Sequence, residues 1–444
     1  MDFLRSSAGP SSQQVKKNDV KTLSEKREKM PYNATDEPTS TQIVFVQDKF
    51  YLGGIEILEL KLVDELTRLG LDTVLASRAN DTLDATNAVR ARFVHQGYPD
   101  FLSRTLELLS ESTRKVIFVS LQPNAAITSE IAARQIQARH GDRISVHHFH
   151  WVSHSRAFFF SNRKLVRWLL QRFFLLLPVN STYFMNDAAR IAHQTFWQRS
   201  LVDYPVLRII GREPNAKYVK LSKVANNGNK PEHPKLRIVS VGRLVPFKSY
   251  NLYAPIVIRK LRIAGIDATW DIWGYGPDEA EIASKAQEYR VNDFVKLRGK
   301  LPHELFDKTV FSYDLFVGMG TAVLEAAKTG TPVCVAVENQ ADACYGHLHE
   351  APIDSVGDRV VGFHEQKLYD ALSAFAAMSS QEQSTIGEKG ALAAHKRESV
   401  LSEFVAAVLA AQPIGEERFF DRVLLLVGKA YLTLNYRKNQ WAKK

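Results

Sequence analysis

Three short motifs in the second half of the chain constrain its fold more than any other feature. They are Val241-Gly242-Arg243-Leu244-Val245-Pro246-Phe247-Lys248, Trp273-Gly274-Tyr275-Gly276-Pro277 and Gly318-Met319-Gly320-Thr321. Each motif follows an apolar run of strand length and leads into a helical pattern. This alternation predicts a parallel α/β sheet with the motifs on the loops at the carboxyl ends of its strands. Those loops form the ligand-binding edge of such sheets.

The residue types in these motifs fit a pyrophosphate ligand. Arg243 supplies a guanidinium and Lys248 an ammonium, and both pair strongly with phosphate oxygens. The glycines permit close approach of the backbone, and the helix behind the third motif offers amides to an anion. The further contacts predicted for the ligand are Gly242, Gly274, Gly276, Gly320, Thr321 and Ala322.

The order and spacing of these motifs resemble the nucleotide-sugar-binding domain of GT-B glycosyltransferases of family GT4. That family has VGRL followed after three residues by Lys, then a Gly-x-Gly-Pro element, then Glu-x7-Glu followed by Ala-x-x-x-Gly-x-Pro. The run from Glu325 to Pro332 matches the last part, and residues 318–326 are similar to bacterial exopolysaccharide-type members. The resemblance covers residues 236 to about 357. It implies an α/β protein of the GT-B fold, with two Rossmann-like domains facing across a cleft.

The resemblance also implies an activity. It indicates a retaining hexosyltransferase that moves a sugar from a nucleotide-diphosphate sugar to a growing, lipid-linked saccharide in cell-surface polysaccharide synthesis. Arg243 and Lys248 then stabilise the departing pyrophosphate, and Glu325 accepts hydrogen bonds from the donor ribose. The other interpretation of Glu325 is a carboxylate that only stabilises its helix dipole. Because no Asp-x-Asp occurs in the chain, neither a metal nor another cofactor is expected.

One position departs from the family pattern. Val317 stands where the first Glu of Glu-x7-Glu belongs, and in the family that carboxylate lies beside the donor sugar. Its replacement leaves the sugar contacts open while phosphate and ribose binding are retained. The alternative function is therefore a non-catalytic GT-B protein that binds a nucleotide sugar or a partner enzyme.

The N-terminal half shows a second alternation of strands and helices. A strand at residues 43–46, then Gly53 and Gly54, then an amphipathic helix through Leu69 form the opening unit of a Rossmann-like domain. The two glycines either make only a tight turn or, as the similarity to the family's GG-x-E opening implies, face the donor phosphates across the cleft. Further strands are predicted at residues 73–76, 116–121 and 144–149, with helices at 102–110 and 127–139.

Four histidines lie between positions 147 and 154. In a strand, His148 and His150 share a face while His147 points to the other face, so these side chains do not converge on one metal ion. No carboxylate or cysteine lies nearby in the sequence. We therefore interpret most of them as polar lining at the end of a strand. The resemblance implies that one histidine contacts the donor sugar, with His150 and His154 as candidates and His148 behind them.

A basic, aromatic segment follows the histidines. No acidic residue occurs from Arg143 to Asn186, and residues 156–177 have apolar side chains at helical spacing with Arg163, Lys164 and Arg167 in other sectors. This pattern predicts either a helix at an anionic membrane surface or a helix packed on its own sheet with a solvated basic face. A strand at residues 175–179 and a helix at 183–196 are predicted next.

These patterns divide the 444 residues into five parts. Residues 1–40 are predicted to be a disordered tail, because they have too few apolar residues to form a core. With the roles that the resemblance implies, an acceptor domain spans 41–204, a linker 205–235 and the nucleotide-sugar-binding domain 236–412. The resemblance also implies that a C-terminal helix at 413–444 crosses back to the first domain, and membrane contact is the alternative for that helix. Predicted strands of the second domain lie at 236–241, 269–273, 294–297, 314–317 and 333–337.

Charge and composition limit the classes of partner that we expect the protein to bind. The net charge of +10 favours anionic partners, but no nucleic-acid recognition motif is visible, so nucleic acid is not expected. Two cysteines, no apolar run of transmembrane length and no signal-peptide pattern predict a cytoplasmic protein. With the basic segment, they predict peripheral binding to the inner face of the cytoplasmic membrane.

Overall fold

The computed structural model describes ten ranges of the chain. They are residues 41–47, 54–77, 92–95, 113–154, 157–159, 161–211, 213–219, 236–360, 362–415 and 419–441. The predicted N-terminal tail, Gly53 and the predicted helix at residues 102–110 lie outside these ranges, as does part of the predicted linker.

The first sheet has six strands, all parallel, in the order β3-β2-β1-β4-β5-β6. Its strands are β1 (Thr41–Gln47), β2 (Asp72–Ser77), β3 (Arg92–His95), β4 (Lys115–Ser120), β5 (Ser145–Val152) and β6 (Thr182–Phe184). Its helices are α1 (Gly54–Arg68), α2 (Pro123–His140), α3 (Lys164–Phe174) and α4 (Asp187–Trp197). The strand order reverses between β1 and β4, the place where such sheets bind ligands. We call this sheet with its helices the first lobe.

The second sheet has seven strands in the order β13-β12-β11-β10-β7-β8-β9. Its parallel strands are β7 (Leu236–Val241), β8 (Ala268–Trp273), β9 (Val295–Leu297), β10 (Leu315–Gly318) and β11 (Val333–Ala336). The strand β12 (Ala343–His347) pairs antiparallel with both β11 and β13 (Gln366–Lys367). The helices are α5 (Tyr250–Ile263), α6 (Glu279–Glu288), α7 (Phe306–Phe311), α8 (Thr321–Lys328), α9 (Leu368–Ala377) and α10 (Ser380–Lys396). This is the second lobe, and it confirms the predicted α/β class.

Two later helices return to the first lobe. The helix α11 (Leu401–Leu409) places Phe404 against Phe149 and Trp151, at ring distances of 5.7 and 5.2 Å. The helix α12 (Phe419–Trp441) buries Leu425 and Leu432 in the core that contains α2 and α3. The return to the first sheet therefore begins before residue 413, where the sequence placed it, because the apolar face of α11 covers that sheet.

One stretch of the first lobe corrects the sequence prediction. The predicted strand at residues 175–179 is instead a turn that follows the end of α3, and the strand β6 begins only at Thr182. β6 pairs with β5, with His150 opposite Thr182. The following helix begins at Asp187, not at residue 183, and Asn186 caps it by accepting the amide of Ala189 at 2.7 Å. Asn is among the residues preferred at the N-terminal cap of a helix, which explains why this helix begins at Asp187.

No helix in the described ranges combines the length and the apolar composition needed to cross a bilayer.

Candidate functional site

The predicted site residues of the second lobe come from loops at the carboxyl ends of its parallel strands. The cation loop, residues 242–248, follows β7 and ends in a short turn at Pro246–Lys248. It is held by the neighbouring strand ends: the amide of Gly242 donates to the Trp273 carbonyl at 2.9 Å, and that of Asn339 donates to the Phe247 carbonyl at 2.9 Å. Loops from three strands thus fix the backbone that carries Arg243 and Lys248.

Gly274 and Gly276 make room for the cation loop itself. A Cβ at Gly274 would stand 1.8 Å from the Gly242 carbonyl oxygen, and one at Gly276 would stand 2.1 Å from the Leu244 carbonyl oxygen. The amide of Leu244 also donates to the Tyr275 carbonyl at 3.0 Å. Only residues without a side chain let the two loops pack this closely. The sequence assigned these glycines to ligand contact, and the structure shows this further, structural need for them.

Arg243 and Lys248 carry the positive charge of the site. Arg243 is exposed, and its guanidinium faces Glu56 of the first lobe closely enough to oppose the rise in the pKa of that carboxyl. The Lys248 ammonium lies beside Gly242. Burial and, second, repulsion by Arg243 lower the pKa of Lys248 to about 8. An anion bound between these cations would relieve that repulsion and restore the charge of Lys248.

The N-terminus of α8 offers two amides rather than the three predicted. Gly320 caps the helix with φ of 79°, a left-handed conformation that glycine adopts without strain. Its own amide donates to the Val356 carbonyl at 2.6 Å and is therefore occupied. The amides of Thr321 and Ala322 lie in the first turn, where a helix provides no acceptor. These two remain available to an anion.

Glu325 connects the two lobes. Its carboxylate lies 3.3 Å from the Lys61 Nζ of α1 and 3.5 Å from the His303 Nε2 of the second lobe. The side chain is 13% exposed. The carboxylate predicted to bind ribose is thus already paired with a cation of the first lobe. A nucleotide that uses Glu325 has to share it with Lys61.

The first lobe places carboxyl groups at its strand-order reversal. Gly54 begins α1 and Glu56 follows in the first turn, buried, with the Gln122 Nε2 at 3.5 Å. Glu59, one turn further, is fully buried and accepts from the Gln47 Nε2 at 2.8 Å. Burial raises the pKa of Glu56, and burial together with Glu56 raises the pKa of Glu59 well above its usual value. This side of the gap therefore has acidic side chains that stay protonated more readily than usual.

The histidines of β5 form a buried network in the first-lobe core. Ser120 Oγ lies 2.9 Å from the His148 Nε2 and 2.8 Å from the His150 Nδ1, and the His148 Nδ1 lies 3.2 Å from Glu130. The sequence prediction that no carboxylate accompanies them was wrong, because α2 brings Glu130 from a distant part of the chain. His147 faces the other side of the sheet, as predicted, and contacts the Ala411 carbonyl. Burial lowers the pKa of His150 well below its usual value.

The two candidate histidines have different surroundings. His150 is 1% exposed within the core. His154 lies beyond the end of β5, is half-buried, and stacks edge-on at 6.4 Å from the Phe247 ring of the cation loop. It also lies within 4.8 Å of carboxylate oxygens of Glu338 and Asp358, which belong to the second lobe. Of the two, His154 is the one placed between the lobes.

Val317 is fully buried in the second-lobe core. Its carbonyl accepts the Ser240 hydroxyl at 2.7 Å. A side chain at this position packs among apolar neighbours and does not reach the gap. The nearest acidic groups on adjacent loops are Glu338, directly after β11, and Asp358, beside Gly357. The Glu338 amide donates to the Gly357 carbonyl at 2.8 Å, so the two loops are joined.

A separate cavity of about 340 Å³ lies along the second sheet, away from these loops. It contains none of the predicted site residues. Its lining includes Arg237, Asp271, Lys296, Arg298 and Tyr313.

Several residues at the site escaped sequence reasoning. Glu338 had a usable signal, since it directly follows a predicted strand whose carboxyl end lies at the ligand-binding edge. Lys61, His303 and Asp358 had no such signal in the sequence, because each contacts its partner only through packing between distant segments.

Comparisons with known proteins identify the fold. No protein-family model and no curated protein matches the chain. The structure is similar to a glycosyltransferase from Rickettsia africae, with a TM-score of 0.56 and 11% identity over 84% of this chain and 100% of that one. It is similar to WaaG, a glycosyltransferase involved in lipopolysaccharide biosynthesis, with a TM-score of 0.52 and 14% identity over 83% and 100%.

A third similar structure is the pneumococcal O-GlcNAc transferase GtfA in complex with UDP and GlcNAc, with a TM-score of 0.55 and 9% identity over 84% of this chain and 99% of that one. At these identities the likeness shows the fold alone. The chain has two Rossmann-like parallel-sheet domains that match GT-B glycosyltransferase structures, as the resemblance of its motifs predicted.

Proposed function

We propose that the protein is a retaining glycosyltransferase that moves a hexose from a nucleotide-diphosphate sugar to a growing saccharide. The observation that carries this proposal is the convergence of Arg243, Lys248, the first amides of α8 and Glu325 at one gap between two lobes. Positive groups and amides suit a pyrophosphate, and a carboxylate suits ribose hydroxyls. The complex of GtfA with UDP makes UDP-sugars the first donors to test.

In the proposed reaction the bond between the anomeric carbon and the terminal phosphate oxygen breaks. An acceptor hydroxyl attacks that carbon on the face from which the pyrophosphate leaves, and its proton passes to the departing phosphate oxygen. Arg243, Lys248 and the amides of Thr321 and Ala322 stabilise the growing negative charge. Glu325 orients the nucleotide once the ribose shares it with Lys61, and His154 faces the same gap.

We assign the acceptor to a lipid-linked saccharide of cell-surface polysaccharide synthesis, because α3 offers a membrane face. One side of α3 packs in the core through Leu170 and Phe174. The other side exposes Leu165 by 75% and Trp168 by 50%. The basic residues Arg163, Lys164, Arg167 and Arg172 surround them, and the exposed ring of Phe196 lies under Arg167 at 5.4 Å. We call Leu165, Trp168, these four basic residues and Phe196 the α3 face. WaaG, a structural relative, acts in lipopolysaccharide biosynthesis.

The alternative is a non-catalytic GT-B protein that binds a nucleotide sugar or a partner enzyme. Val317 favours it, because the loop after β10 provides no carboxylate for a donor sugar. Turnover separates the two functions: the alternative protein binds donors and consumes none.

The decisive experiment is a transfer assay with UDP-, GDP- and ADP-sugars and a membrane-lipid extract as acceptor. We expect one donor to be consumed, and Arg243→Met to lower kcat/KM at least about 100-fold, the usual effect of losing a transition-state charge partner. The matched control is Arg262→Met, since Arg262 pairs with Asp267 outside the gap. Binding of several donors without consumption of any would refute the enzyme proposal.

The membrane assignment has its own test, co-sedimentation with phosphatidylcholine vesicles with and without phosphatidylglycerol. We expect binding only with the anionic lipid, reduced by salt. Trp168→Ala should weaken vesicle binding about tenfold, because the variant buries one large apolar side chain fewer in the membrane. Ile263→Ala is the control, because Ile263 is 69% exposed on the second lobe and lies outside the α3 face. Equal binding by both variants would remove α3 as the membrane face.

A further inference from the structure

His154, Glu338 and Asp358 converge from both lobes. Each offers one ligand atom, the imidazole nitrogen or a carboxylate oxygen, and these atoms all lie within 4.8 Å of one another. His154 comes from the loop after β5, Glu338 from the loop after β11, and Asp358 from the segment that follows Gly357. Glu338 is 8% exposed and the other two are half-buried.

The basic side chain beside the two carboxylates of this cluster is His154. Among the described residues, neither Glu338 nor Asp358 forms an ion pair with a lysine or arginine. Arg359, the nearest arginine in sequence, directs its guanidinium to Glu365. Two partly buried carboxylates this close repel each other unless a proton or a cation lies between them.

Neighbouring groups orient the carboxylates from outside. The amide of Arg359 donates to a Glu338 oxygen at 3.3 Å. Asn186, whose side-chain oxygen caps α4, hydrogen-bonds the Asp358 carboxylate. Because that oxygen is already an acceptor, the amide group of Asn186 is the donor to Asp358. Hydrogen bonds of this kind hold metal-binding carboxylates in place.

We propose that His154, Glu338 and Asp358 bind a divalent first-row transition cation that links the two lobes. One imidazole and two carboxylates suit Mn²⁺ or Zn²⁺, and three protein ligands leave further coordination positions open. The cation neutralises the two carboxylates and ties the loop after β5 to the second lobe. The site is distinct from the cationic pyrophosphate contacts. The sequence analysis expected no metal because the chain has no Asp-x-Asp, and the three ligands of this site lie far apart along the chain.

The test is Mn²⁺ binding to the full-length, chelator-treated protein without any nucleotide. Binding is measured as the loss of the free Mn²⁺ signal in electron paramagnetic resonance. We expect one site per chain, with Zn²⁺ in competition. Glu338→Gln and Asp358→Asn should each weaken binding at least about tenfold. Two variants are used, with circular dichroism of each, so that a folding defect in one leaves the other informative.

The control is Glu350→Gln, an acidic residue of the same lobe that lies beside His349 and is not part of the cluster. It should bind Mn²⁺ as the unsubstituted protein does. Absence of a site, or equal affinity in Glu338→Gln and the unsubstituted protein, would overturn the proposal. Neither outcome bears on glycosyl transfer, because donor and acceptor are absent from the measurement.

Discussion

Lys248 shows how the surroundings of a single residue set the charge of the candidate site. Its ammonium loses hydration in the cation loop and lies near Arg243, and these two effects lower its pKa to about 8. At neutral pH most molecules still carry the charge. In the proposed function it is the charged form that binds phosphate, so we expect the free protein to lose affinity for a pyrophosphate as the pH rises through about 8.

This titration gives a prediction about nucleotide binding. The dissociation constant of the nucleoside diphosphate should be constant below pH 7 and rise above pH 8, approaching about tenfold per pH unit because one proton is linked to binding. Lys248→Arg should bind with no such rise, since a guanidinium does not titrate in this range. Calorimetric titrations from pH 6 to about 9.5 measure both profiles. Parallel profiles for the two proteins would mean that Lys248 does not contact the phosphates.

At the scale of secondary-structure elements, the packing of α12 on the first lobe depends on one glycine. Gly428 is buried where the helix crosses α2 and α3, and a Cβ there would stand 2.4 Å from the Phe173 ring and 3.2 Å from Ile127. Phe173 is itself 2% exposed, so the ring has little space to retreat. The contact fixes the depth at which α12 lies on the first lobe.

Gly428→Val should therefore lower the free energy of unfolding by about 1–3 kcal/mol, the usual range for overpacking a core. Urea denaturation followed by circular dichroism measures the change. Lys429→Val is the matched control, because it adds the same residue to the next position of the helix on an exposed site. Its effect should stay within about 0.5 kcal/mol. A Gly428→Val midpoint equal to the control's would show that α12 does not pack at this depth.

Sequence patterns predicted β1, β2, β4, β5 and the five strands from β7 to β11, because buried parallel strands are continuous apolar runs. They missed the short strands β3, β6 and β13 and the antiparallel strand β12. The prediction failed at residues 175–186, where the short strand β6 lies between two helices and only pairing with β5 defines it. The cation loop was visible because its residues are close together in the sequence. The pairing of Lys61 with Glu325 and the convergence of His154 on Asp358 were not, since they arise from packing between distant segments.

At the scale of the whole molecule, polar contacts between described residues join the gap faces of the lobes. Lys61 on α1 pairs with Glu325 on α8 at 3.3 Å. Asn186 and His154 of the first lobe both lie beside the Asp358 carboxylate of the second lobe. A partly exposed ion pair such as the first contributes up to about 1 kcal/mol. Domain motion about a gap held by contacts this small is expected for a two-lobed protein. The pair of Lys61 with Glu325 also occupies the carboxylate that we assign to ribose binding. Opening of the gap and binding of the nucleotide therefore both depend on Glu325.

Lys61→Met should accordingly shift the lobes toward open arrangements, by up to about fivefold in population for a loss of 1 kcal/mol. Spin labels at Ile191→Cys and Ile263→Cys, both exposed and on different lobes, report the distance distribution by pulsed electron resonance. Arg68→Met is the control, because Arg68 lies on the same helix and pairs with Asp64 and Glu65 of that helix. High salt should widen the distribution of the unsubstituted protein and leave that of Lys61→Met nearly unchanged, since screening acts on the pair that this variant already lacks. If Lys61→Met and Arg68→Met give the same distribution, Lys61 does not hold the lobes together.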